Sequence, residues 1–88
     1  MADIIDLSLV AEARKSLNHL LDTRGIAYFL REDRKKPFQL EPSRVEMVVR
    51  TAARGRRKPH LRAVEHARRE IRRELIRRVV GEMLQTGL

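Results

Sequence analysis

The sequence predicts a mainly α, small single domain of about three helices. One or two short β-strands are expected between the first and second helix. Three observations carry this. Apolar residues recur at helical spacing in the first quarter of the chain and again along its second half. A short aromatic stretch and a proline-bounded alternating stretch separate the two. The chain has 88 residues, which suits one domain with a modest core. A core that small leaves room for a second copy or a ligand to complete it.

The elements follow in order. Residues 1–25 read as an N-terminal helix. Asp6 or Ser8 caps it, and Val10, Ala13, Leu17, Leu20 and Leu21 form its apolar face. Gly25 stops it after Thr23. Residues 26–42 read as short strands and a turn. Ile26–Arg31 pairs with Pro37–Glu41 in a hairpin around the charged residues Glu32 to Lys36. A second reading stays open, in which Ile26–Arg31 continues helical structure and only Phe38–Glu41 is extended. Pro37 and Pro42 exclude a regular helix through that interval. Residues 43–86 read as a helical basic region. Ser43-Arg44-Val45-Glu46 has the spacing of a capping box. Val45, Val48, Val49 and Ala52 follow as an apolar face, and Gly55 ends that helix. Pro59 suits the first turn of a last helix running to about Leu84, with its final turns weakened by Gly81.

Composition narrows the function classes. The net charge is +8. Residues 31–88 hold 17 basic and 8 acidic side chains, and Arg54 to Arg78 alone hold 11 and 3. Such concentration points to a polyanionic partner, nucleic acid before an anionic membrane. With no Cys there is no disulfide, thiolate nucleophile or Cys-ligated metal. Met1 to Leu7 lacks the basic and apolar regions of a secretory signal. No apolar run reaches the roughly 18 residues of a membrane span. These features predict a cytoplasmic or nucleoid-associated location. Tyr28, Phe29 and Phe38 are the whole aromatic complement, too few for stacking single-stranded bases.

The arginines of the last helix are patterned. At about 100° per residue from Leu61, the residues Leu61, Val64, Ala67, Ile71, Leu75, Val79 and Met83 share one sector. Arg62, His66, Arg69, Arg73 and Arg77 share another, roughly opposite. Glu65, Glu70 and Glu74 sit three or four residues before arginines, as on any solvated helix. Three glutamates cannot neutralise seven arginines between Arg62 and Arg78, so the stripe stays positive. Arg68 and Arg72 fall close to the apolar sector, where an arginine lays its stem on apolar surface with its head in water or pairs with a carboxylate of another helix or a second subunit. The basic loop Arg56-Arg57-Lys58 precedes a helix N-terminus and suits a phosphate.

Arg56, Arg57, Lys58, Arg62, Arg69, Arg73 and Arg77 are therefore the expected nucleic-acid-binding residues. No catalytic or metal residue is expected, and no cofactor. His60 and His66 face different sides of a helix, and His19 is remote. The four glycines are scattered, so there is no glycine-rich phosphate loop.

One stretch resembles the ribbon-helix-helix DNA-binding family. It is KPFQLEPSRVEMVVRTAARGRRKPHLRAVEHARREI, residues 36–71. The resemblance implies Phe38 and Leu40 in the core, Ser43–Arg54 as a first helix and Gly55-Arg56 at the turn. It implies an obligate dimer with Gln39 and Glu41 on a groove-facing ribbon. Glu41 carries the wrong charge for that place, and Pro37 removes a strand hydrogen bond.

The expected function is nucleic-acid binding, DNA before RNA, by a homodimeric double-stranded-DNA regulator or architectural factor. Two alternatives remain. One is a small basic adaptor or inhibitor that docks on an acidic surface of another protein. The other is an RNA- or ribosome-associated protein.

Overall fold

A computed structural model describes residues 6–31, 39–56 and 59–85. Among the described residues the architecture is three α-helices: α1 (Leu7–Arg24), α2 (Pro42–Ala53) and α3 (Leu61–Gln85). Each packs on the other two. The 25 residues of α3 span about 37 Å at 1.5 Å each, which accounts for most of the 44 Å long axis.

α1 begins where the sequence expects. The Asp6 carboxylate accepts the Leu9 amide at 3.0 Å. The helix ends at Gly25, whose amide donates to the Leu21 carbonyl. Gly25 takes φ 81° and ψ 170°, a region essentially reserved for glycine.

No strand forms among the described residues, so the expected hairpin strands are corrected, and Ile26–Phe29 is one 3-10 turn, the helical alternative for that stretch. Its i, i+3 geometry turns Ile26 and Phe29 to one side, and Phe29 is fully buried. A strand would have put those two residues on opposite faces. What remains of the hairpin is an isolated antiparallel bridge, Leu30 with Leu40. The Arg31 amide donates to Gln39 and the Glu41 amide to Phe29. Pro37 and Phe38 lie outside the described residues.

The capping box is corrected too. Proline favours the first helical position, and α2 starts at Pro42, two residues earlier than a Ser43 cap implies. Glu41 becomes the N-cap, and its carboxylate accepts from the Ser43 amide at 3.3 Å and the Ser43 hydroxyl at 3.0 Å. Glu46 is thereby released from capping and pairs with Arg50 and Arg68. At α3, Pro59 sits outside the helix, and His60 caps instead. Its Nδ1 accepts the Arg62 amide at 3.1 Å, and its carbonyl accepts the Val64 amide at 3.0 Å. α3 continues through Gly81 to Gln85.

The core is wholly apolar among the described residues. It is built on ridges of residues four apart: Leu9, Ala13 and Leu17 of α1, Val45 and Val49 of α2, and Ala63, Ala67, Ile71, Leu75 and Val79 of α3. On α3 this four-residue spacing makes the buried face wind. Four residues turn about 400°, so the inward direction of α3 rotates about 160° from Ala63 to Val79.

That winding overturns one expectation. Leu61 and Val79 lie 18 residues apart, five whole turns, and so share one angle. Val79 is 3% exposed, but Leu61 is 77% exposed, with Ala63 taking the core position at that end.

Candidate nucleic-acid interface

The outward side of α3 carries the stripe. Arg69, Arg73 and Arg77 are themselves four apart, so they wind with the core ridge and stay on its far side. Each stands about 20° from the direction opposite Ile71, Leu75 and Val79 respectively. All three are exposed, as is Arg62 at the start of the helix. From Arg62 to Arg77 the row runs about 22 Å. The fold thus delivers four of the expected residues to one continuous face.

Their electrostatic surroundings leave them available. Arg62 and Arg69 form no ion pair with any described residue. Arg73 reaches Glu70 at 3.7 Å, and Arg77 reaches Glu74 at 3.2 Å. Both carboxylates are oversubscribed. Glu70 also faces Arg14 at 3.9 Å and His66 at 4.0 Å. Glu74 also takes Arg78 at 3.3 Å, and Arg78 donates to Asn18 of α1 as well. Glu65, expected to pair with Arg68 or Arg69, pairs with neither. Exposed pairs of this kind contribute about 0.2–1 kcal/mol, so a phosphate can replace them at small cost.

The basic loop behaves differently. Arg56 is turned back onto the fold. Its Nη1 donates to Asp6 Oδ2 at 2.9 Å, and its other terminal nitrogen donates to the Ser8 hydroxyl. Arg56 thus clamps the end of α2 to the cap of α1. The Asp6 carboxyl is held below the usual range, first by the Leu9 amide and also by Arg56. Glu41 is likewise lowered, by the Ser43 amide first and then its hydroxyl. Arg57 and Lys58 lie outside the described residues.

Sequence spacing missed a feature on the flank of the stripe. Arg68 and Arg72 form one wall of a groove of about 310 Å³. Its other side comes from Gln39, Leu40, Pro42 and Val45, with Ile76 at one end. The arginines were visible near the apolar sector. Only the path of the chain before α2 supplies the opposite wall.

The aromatics offer no stacking platform among the described residues. Phe29 is fully buried. The Arg44 guanidinium lies 4.2 Å from the centre of the Tyr28 ring and donates to its hydroxyl at 2.8 Å. Arg24 stands 5.8 Å from the same ring. No helix among the described residues is long and apolar enough to cross a membrane.

Comparison with known proteins returns no match, whether against protein-family models, curated proteins or solved structures.

Proposed function

We propose that this protein binds nucleic acid through the outward face of α3, as a homodimeric DNA regulator or architectural factor. The carrying observation is the row Arg62, Arg69, Arg73 and Arg77, exposed on one face and served by too few carboxylates to neutralise it. Such a row fits a phosphate backbone, where cations displace condensed counterions. Duplex is favoured over single strands because no aromatic among the described residues is free to stack on a base. DNA before RNA is part of the proposal. The phosphate contacts position the protein and carry no sequence information themselves. Exposed Val80 and Leu84, on the last turns of α3, supply apolar surface in keeping with a second copy. This reading needs no ribbon, so it stands apart from the resemblance to ribbon-helix-helix units.

The test is binding to random duplex DNA by fluorescence anisotropy, with duplex RNA of matched length as competitor. The proposal expects binding that weakens as salt rises and RNA that competes less well than DNA. RNA competing more strongly would move the protein to the RNA-associated class. Absence of binding at low salt would end the proposal.

A further inference from the structure

We propose that the groove between the start of α2 and the middle of α3 is a docking site for an acidic amphipathic helix of another protein. The inference does not depend on the nucleic-acid reading. The groove is lined by apolar Leu40, Pro42, Val45 and Ile76 and by the cationic Arg68 and Arg72. Its volume of about 310 Å³ falls at the lower end of the range for ligand sites. Ile76 is 37% exposed at its end, an apolar side chain left in water.

The two halves of this surface make different demands. The apolar lining gains nothing from a phosphodiester backbone, and only an apolar side chain removes it from water. The cationic wall asks for anions. Among the described residues Arg72 forms no ion pair, and Arg68 has only Glu46 at 3.7 Å, which Arg50 already holds at 3.1 Å. An apolar side chain with carboxylates beside it meets both demands. Arg68 and Arg72 stand one helical turn apart, about 6 Å along α3. Two carboxylates four residues apart on a partner helix have the same spacing, with leucine-sized residues on the adjoining face entering the groove.

The site is separate from the stripe. Arg68 and Arg72 lie about 60° to 180° around α3 from Arg69, Arg73 and Arg77. The two surfaces therefore respond to different substitutions.

The probe is a fluorescein-labelled Leu/Glu/Ala peptide about four helical turns long, patterned as an amphipathic helix. The control is a shuffled peptide of the same composition and charge. Anisotropy titrations use the full chain, with and without excess duplex DNA. The patterned peptide is expected to bind saturably, at least about tenfold tighter than the shuffled one, and to resist displacement by DNA. Arg68→Glu/Arg72→Glu is expected to weaken it by about tenfold or more, and Arg69→Glu/Arg73→Glu by less than about threefold. If the first double variant loses its helical circular dichroism, Arg72→Gln and Ile76→Ser take its place, each expected to weaken binding severalfold. Equal binding of the shuffled peptide would overturn the proposal, because charge alone would then suffice. So would displacement by duplex DNA, or a loss confined to the Arg69/Arg73 variant. A chain that ignores the peptide and self-associates through Ile76 would assign the groove to a second copy and refute it as well.

Discussion

Ile71→Ala and Leu61→Ala together test the winding core, since both residues are aliphatic and both lie on α3. Ile71 is 0% exposed, whereas Leu61 is 77% exposed. Truncating a fully buried isoleucine removes its transfer free energy and leaves a cavity, about 2–5 kcal/mol in all. A domain of this length has a total stability of roughly 4–13 kcal/mol, so the loss is a large share of it. Each kcal/mol lowers the midpoint of a domain this size by about 4–8 °C, so Ile71→Ala should lose roughly 10 °C or more. Leu61→Ala buries nothing less and should stay within about 0.5 kcal/mol, a shift of a few degrees at most. Thermal unfolding followed by circular dichroism measures both. It should be run at two protein concentrations, because a dimer would make the midpoint concentration-dependent. A loss at Leu61 comparable to that at Ile71 would refute the argument. The inward face would then be the fixed sector read from the sequence, or a second copy would cover Leu61.

Three further outcomes follow from particular contacts. Gly25→Ala forces a side chain into φ 81°, ψ 170° and should cost about 1–3 kcal/mol in a urea titration, although no atom crowds the new methyl; an unchanged midpoint would show the turn relaxing. Asp6 and Glu41 both have depressed folded-state pKa values, so their contribution is present above the ordinary carboxylate range and lost as pH falls through the folded values. Asp6→Asn should therefore flatten the acid limb of the midpoint-against-pH profile, and an unaltered limb would remove Asp6 from that account. Arg56→Ala should lower the melting midpoint by less than Ile71→Ala and change DNA affinity by less than Arg69→Glu/Arg73→Glu, since its guanidinium is held by Asp6 and Ser8. A loss of DNA binding matching that of the stripe variant would place Arg56 on the phosphate surface.

The sequence made the helices legible where a local signal sufficed. Asp6 and Gly25 bound α1 because capping chemistry acts within one turn. The stripe was legible because helical periodicity is also local. What failed depended on tertiary packing. Ile26–Phe29 has the composition of a strand, but burial of Phe29 under the helices favours a 3-10 turn. Ser43 has the spacing of a cap, but Pro42 claims the first helical position and hands the role to Glu41. Leu61 has the angle of a core residue, but the four-residue spacing of the buried ridge turns the core away from it. The far wall of the groove could not be read at all, since Gln39 and Leu40 stand some 30 residues from Arg68 and Arg72.

The most direct test of the central claim is the salt dependence of duplex DNA binding for the wild-type chain and Arg69→Glu/Arg73→Glu. Four arginines on phosphates give a slope of log affinity against log salt of about −3.6 per copy, or roughly 150-fold between 50 and 200 mM. The double variant should bind far more weakly, with a slope no steeper than about −1.8 per copy. A wild-type slope near zero, or a variant that keeps the wild-type slope, would contradict the account and leave the arginines of α3 without a role in binding phosphate.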